Sequence, residues 1–276
     1  MATSIAQRLT HATQMMGIIL AFVICQPASG YTASSVYIED MTWMEVRDAI
    51  AVGKTTVIVP IGSAEQNGPH MTINKHNIIV HVTAGDIAKR LGNALVAPVI
   101  PFSPAGRITP PEGHMQFAGT VSLAPETLGM VLEDVARSLK QHGFRTIAFV
   151  GDHGGSQDPQ RRTAERLNSE WSGSGAKALH VSDYYDSHNG QEPWAQSIGL
   201  KVRNPAAHAG FFDTSELMAA SPASVDNSKL GVRAEKDYST TGAMGDSSKA
   251  TANYGRRLLS LKVEAAVAQI QSAVAR

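Results

Sequence analysis

The stretch Arg145-Thr146-Ile147-Ala148-Phe149-Val150-Gly151-Asp152-His153-Gly154-Gly155-Ser156 decides the fold. Its first half is a short, unbroken apolar run, which suits a strand buried on both faces. Its second half is a glycine-rich turn, and a helical pattern from Gln157 to Trp171 begins where the turn ends. The same order recurs outward in both directions. Strand-like runs fall at Thr55–Ile61, Ala94–Ile100 and Ala178–Ser182. Helical patterns fall at Asn77–Leu91, Pro125–His142 and Ala250–Ala275. Short apolar runs cannot be told from buried helix by period alone, so the alternating order carries the assignment. It predicts an α/β fold: a three-layer α/β/α sandwich with a mostly parallel central sheet.

Ligand sites in such sheets lie beyond the carboxyl ends of the strands. Here those ends lead into Gly62–His70, Gly151–Ser156 and Asp183–His188, which are polar and rich in glycine. Glu65, His70, His76, Asp152, His153, His208 and Asp213 lie in these loops or close to other loop signals. Carboxylate and imidazole together suit Zn, Mn or Fe rather than soft ions. His81, His142 and His180 lack that context and read as structural.

The whole chain narrows the choice of function. It has 276 residues, 43% hydrophobic and 17% charged, with 24 basic and 24 acidic side chains. That balance argues against a broad nucleic-acid surface or a polybasic membrane patch, both of which need clustered positive charge. One cysteine excludes an intramolecular disulfide and any cysteine-based zinc site.

The first thirty residues read as an address. Arg8 is the sole charge before Gly30, and an apolar run from Met15 to Cys25 follows it. Eleven such residues reach roughly 16 Å as a helix, about half of a bilayer core. Small side chains at Ala28 and Gly30 complete the pattern of a cleaved secretory signal. The expectation is therefore a signal peptide over 1–30, a single domain over 31–276, and a secreted or periplasmic protein. No membrane attachment is expected after cleavage.

Several of these segments also resemble one family. Glu65-Gln66-Asn67-Gly68-Pro69-His70, Phe117-Ala118-Gly119-Thr120-Val121-Ser122-Leu123 and Gly151-Asp152-His153-Gly154-Gly155-Ser156 follow in order. His208-Ala209-Gly210-Phe211-Phe212-Asp213-Thr214-Ser215 and Gly242-Ala243-Met244-Gly245-Asp246 complete the series. Collinear from about Trp43 to the C-terminus, they are similar to the motifs of the creatininase family of metal-dependent amidohydrolases. The resemblance implies a creatininase-like sandwich, a ring-like homo-hexamer and a small amide substrate. Its metal ligands carry over onto Glu65, Asn67, His76, His153 and Asp213.

Two of those five have changed type. The family bridges two ions with an aspartate, where this chain has His76. An imidazole nitrogen cannot bridge as a carboxylate does, and Asn67 is a poor ligand. One divalent ion is therefore expected, Zn first and Mn or Fe as alternatives. Its expected ligands are drawn from Glu65, His76, His153 and Asp213, with Asp213 the weakest. His208 is the expected proton shuttle, with His70 or Asp152 as substitutes.

The expected reaction is hydrolysis of a small cyclic amide or a related carbon–nitrogen bond by metal-activated water. A lactonase, lyase or isomerase acting at the same site is the alternative, and a non-catalytic binding protein the second. Phe102, Phe117, Tyr184, Tyr185, Trp194, Phe211 and Phe212 are candidate pocket walls, and Arg107 a candidate for a substrate carboxylate.

Overall fold

A computed structural model describes residues 35–186, 189–202, 204–231 and 238–275. The expected signal peptide, and residues 187–188 of the third loop, lie outside the described residues. Contacts divide the chain into a unit over Met1–Thr32 and one over Ala33–Arg276, and the described residues all lie in the second.

Four strands form the sheet: β1 (Thr56–Ile61), β2 (Ala94–Val96), β3 (Thr146–Gly151) and β4 (Lys177–His180). All pairings are parallel, in the order β2-β1-β3-β4. Every residue of β1 and β3 is buried, as an unbroken apolar run requires of a strand covered on both faces.

Helix α1 (Trp43–Ala51) opens the described chain on a Thr42–Glu45 capping box. Helices α2 (Lys75–Leu91), α3 (Pro125–Gln141) and α4 (Gln157–Glu170) follow. Next come α5 (Gln191–Ser197), α6 (Phe211–Ala220), α7 (Tyr238–Thr241) and α8 (Ala252–Val274). Ile58, Val96, Ala148 and Val150 bury one sheet face against Val80, Ala84 and Ile87 of α2 and Val263, Ala266 and Ile270 of α8. Helices α3 and α4 pack together and against β3, on the other layer. The expected α/β/α sandwich is what forms.

Chain order and sheet order together locate the crevice. From β1 the chain crosses to β2 on one side, then returns to β3 on the other. Crossovers that diverge in this way leave a gap over the carboxyl ends of β1 and β3, the usual ligand site of an open parallel sheet.

Two differences from the sequence reading have physical causes. The second strand stops at Val96 rather than Ile100, because Pro98 has no N–H for a ladder; only an isolated bridge, Ile61 to Ile100, continues the line. Helix α6 was not evident from periodicity. It is buried nearly all round, so its Phe211–Ala220 sequence shows no polar face.

Candidate metal centre

The loop after β1 carries Glu65, which is completely buried. Four imidazoles surround its carboxylate. His153 Nε2 lies 2.7 Å from Oε2, and His76 Nε2 lies 2.9 Å from Oε1. His208 Nδ1 stands 3.7 Å from Oε1 and His114 Nε2 3.9 Å from Oε2. Burial opposes a charge on Glu65, but the field of His76 and hydrogen bonds from His153 and His76 outweigh it. The carboxyl is held far below the usual range.

The loops around this carboxylate are fixed by close backbone approaches. A Cβ on Gly155 would fall 1.9 Å from the Pro104 carbonyl oxygen, so only glycine lets the β3 turn close over His153. Gly242 has φ 72°, and a Cβ there would lie 2.0 Å from Gln66 Oε1. Gln66 Nε2 donates to the Gly242 carbonyl (3.0 Å) and lies 2.8 Å from His114 Nδ1. One glutamine therefore ties the β1 loop to the loops bearing His114 and Gly242.

Among the described residues, Glu65, His114 and His153 form the group whose ligand atoms all lie within 4.8 Å of one another. One carboxylate oxygen and two imidazole nitrogens make a donor set suited to Zn or Mn. A ligating histidine needs a hydrogen-bond partner on its other nitrogen. Ser103 Oγ lies 3.0 Å from His153 Nδ1, which also receives the Gly155 N–H at 3.2 Å, and His114 Nδ1 receives the Gln66 amide nitrogen at 2.8 Å. In this arrangement both Nδ1 atoms accept, so binding an ion at Nε2 would shift the remaining ring proton to Nδ1, where Ser103 Oγ is placed to accept it from His153. The residues fit a divalent ion.

His76 and Asp213 are placed otherwise than the sequence reading expected. His76 donates from Nε2 to Glu65 and from Nδ1 to Asp152 Oδ2 at 2.8 Å. Burial and the nearby Lys75 oppose a charge on this ring, but Glu65 and Asp152 prevail and its pKa is raised. In this arrangement both nitrogens donate, and Nε2, like that of His153, would have to give up its proton before it could hold an ion. Asp213 Oδ2 instead receives Lys75 Nζ at 2.6 Å and the Ala209 N–H at 2.9 Å. Its shorter side chain stays with the ammonium.

Asp152 belongs to a buried chain of charges. Lys262 Nζ lies 2.5 Å from its Oδ1 and 3.3 Å from Glu216 Oε2. Tyr184 Oη donates to the same Oδ1 at 2.9 Å. The series Glu216–Lys262–Asp152–His76–Glu65 thus links α6, α8, β3, α2 and the β1 loop. Asp152 positions His76 and has no free oxygen for proton transfer.

His208 faces the cavity. Its Nε2 donates to the Gln66 carbonyl at 3.0 Å, which leaves the Nδ1 lone pair on the Glu65 side. Burial, with Lys75 adding to it, lowers its pKa to about 3, so the ring is neutral at neutral pH. His70 does not line the cavity; it is buried, with Nε2 2.9 Å from Thr214 Oγ1.

The cavity measures about 380 Å³. Of the aromatic candidates, Tyr185 and Phe212 line it. Tyr184 and Phe211 are core, Trp194 packs on Tyr254, Phe117 on Tyr238, and Phe102 is exposed. Arg107 is on the surface, paired with Glu112.

Sequence reasoning missed His114, Lys75 and Lys262. His114 sits three residues before Phe117, just outside a segment already recognised by resemblance. Lys262 lies four residues from both Leu258 and Ala266 on a buried helix face, a charge interrupting an apolar stripe. Lys75, next to His76 at a helix start, carries no such mark.

A doubly wound sheet with carboxylate and imidazole gathered over its switch point defines an α/β protein with a candidate metal centre. Residues 39–270 match the family model for creatininase, described as creatinine amidohydrolase. The chain belongs to the creatininase family of metal-dependent amidohydrolases.

A mycofactocin precursor peptide peptidase from Mycobacterium tuberculosis is 28% identical over 239 residues, covering 78% of this chain and 84% of the relative. A creatinine amidohydrolase from Pseudomonas putida is 31% identical over 121 residues, covering 44% and 46%. A mutant creatininase structure described as Zn–Zn type superposes with TM-score 0.70 at 23% identity, covering 88% of this chain and 99% of that one. Another is described as a Mn creatininase, with TM-score 0.68, 23% identity, and coverage of 87% and 99%.

Proposed function

We propose that this protein hydrolyses the carbon–nitrogen bond of a small amide, cyclic or at the end of a short chain, using one divalent ion held by Glu65, His114 and His153. The observation that carries the reading is the trio itself, a carboxylate oxygen and two imidazole nitrogens all within 4.8 Å of one another. The names of the relatives support it, since a creatinine amidohydrolase and a peptide peptidase both cleave carbon–nitrogen bonds. Zn is the proposed ion and Mn the alternative, in keeping with structures described with either.

A bound ion of this kind supplies activation of water and polarisation of a carbonyl. The chain supplies the rest. His76, held by Asp152, fixes the Glu65 carboxylate in place. His208 has an open Nδ1 on the Glu65 side, which places it to accept the proton that the attacking water loses; with a pKa of about 3 it is a weak base and needs that water to be strongly acidified. It then returns that proton to the departing nitrogen, a shuttle suited to imidazole. A cavity of about 380 Å³ limits the reacting portion of the substrate to a compact group.

The test is a chelated and reloaded preparation assayed on lactams, formamides, short peptides and lactones. Turnover of a carbon–nitrogen substrate that vanishes on chelation and returns with Zn or Mn is expected. Turnover of lactones alone would move the reaction to the ester class. No turnover with a full complement of metal would leave a binding protein.

We further propose export with loss of residues 1–30, which N-terminal sequencing of secreted material checks. Assembly into a homo-hexamer, proposed from the family, is checked by light scattering.

A further inference from the structure

The buried cavity holds more acid than one ion requires, and the way each acid is occupied is informative. Asp152 has Lys262, Tyr184 and His76 as partners. Glu216 has Lys262 and Gln191. His76 has Asp152 at Nδ1 and Glu65 at Nε2. Asn67 gives its amide nitrogen to the carbonyls of Glu65 and Thr72, and its amide oxygen is buried without a hydrogen-bond partner. That leaves Asp213, a partly exposed carboxylate (23%) lining the cavity, and its partner is Lys75.

Lys75 is an unusual lysine. Its side chain is 1% exposed, and its ammonium is 2.6 Å from Asp213 Oδ2. Its field is felt at His70, His76, His114 and His208. It stands among the imidazoles as a positive charge, and a further divalent ion beside it would meet both repulsion and a carboxylate whose Oδ2 already holds the ammonium and the Ala209 N–H.

We infer that Lys75 is the resident counter-cation of Asp213, and that by occupying it Lys75 limits this cavity to a single divalent ion. The inference rests on the proposed seat at Glu65, His114 and His153 and deepens it. The acids of the cavity then divide among three cations: Asp152 and Glu216 share Lys262, Asp213 has Lys75, and Glu65 has the metal. Lys75 is in this sense a positioning residue, acting through Asp213.

The experiment counts metal. Full-length protein is stripped with chelator, reloaded with excess Zn²⁺ or Mn²⁺, freed of unbound ion by gel filtration and analysed by plasma mass spectrometry. Wild type is expected to hold one equivalent and Glu65→Gln none. Lys75→Ala is expected to rise toward two equivalents, and the Lys75→Ala/Asp213→Asn double variant to return to one. Lys75→Ala holding at one equivalent would overturn the role of Lys75 while leaving the single seat intact. Two equivalents in wild type would overturn the single-ion reading itself.

Should Lys75→Ala be too unstable to purify without metal, its melting temperature is followed against Zn²⁺ concentration. A rise that continues beyond the first equivalent in Lys75→Ala, but not in wild type, supports the inference. Identical titration curves overturn it.

Discussion

The two adjacent strand ends each present a buried carboxylate, and the two are neutralised by different means. At the end of β3, Asp152 faces a lysine 2.5 Å away and a tyrosine hydroxyl. At the end of β1, no lysine reaches Glu65 among the described ion pairs; its neighbours are four imidazoles. An ammonium cannot ligate a metal, whereas an imidazole that gives up a proton can. The Asp152 region is built to stay as it is, while the Glu65 region is built to exchange protons for an ion. His76 joins them, with one nitrogen on each carboxylate.

The largest expected break of this contrast is Glu65→Gln. Metal content should fall to background and kcat/KM by at least about 10³-fold, on the order of 4 kcal/mol of transition-state stabilisation. Retained metal with retained activity would remove Glu65 from the centre.

On the other side, Lys262→Met leaves Asp152 buried without its cation. Such a loss costs about 3–5 kcal/mol of folding stability. Urea unfolding should show it, and Lys262→Met/Asp152→Asn should recover part of it. A single variant as stable as wild type would mean that the pair contributes little.

His208→Gln separates chemistry from binding of the ion. We expect kcat to drop about 10²-fold or more, the usual scale of general acid–base assistance, with metal content unchanged. Full turnover in this variant would require a different proton carrier.

The smallest effect concerns His70, outside the cavity. Burial is the main cause that lowers its pKa from 6.5 to about 4. The unfolded chain therefore takes up this proton first as pH falls. The contribution is present above about pH 6.5 and is lost progressively down to about pH 4. His70→Asn should show a shallower decline of stability across that window. An unchanged slope would assign the acid sensitivity to other groups.

How much of this was legible in the sequence follows from the same contrast. The fold was readable because β1 and β3 are unbroken apolar runs, and their burial on both faces is the reason they are unbroken. Glu65 and His153 were legible because polar residues beside glycine turns at strand ends have few structural reasons to be there. The partners were not legible. Whether His76 ligates or donates depends on what lies at its other nitrogen, and Asp152 is 76 positions away in the chain. Lys75 and Asp213 are separated by 138 positions, so their pairing exists only in the folded protein. Alone in sequence, a lysine at a helix start reads as solvated surface. His114 was within reach, since it lies three residues before a recognised segment, in the short 3-10 helix Gly113–Gln116.

The sealing of Lys75 and Lys262 against their own carboxylates has a consequence for the conditions under which the protein can work. Mobile ions weaken attractions between charges that water can reach, and they act feebly on pairs shut away from it. Both lysine side chains and Asp152 are at most 7% exposed, and Asp213 is 23% exposed. The interior of the site should therefore tolerate brackish or fluctuating surroundings, and turnover of an uncharged amide should stay nearly level as sodium chloride is raised.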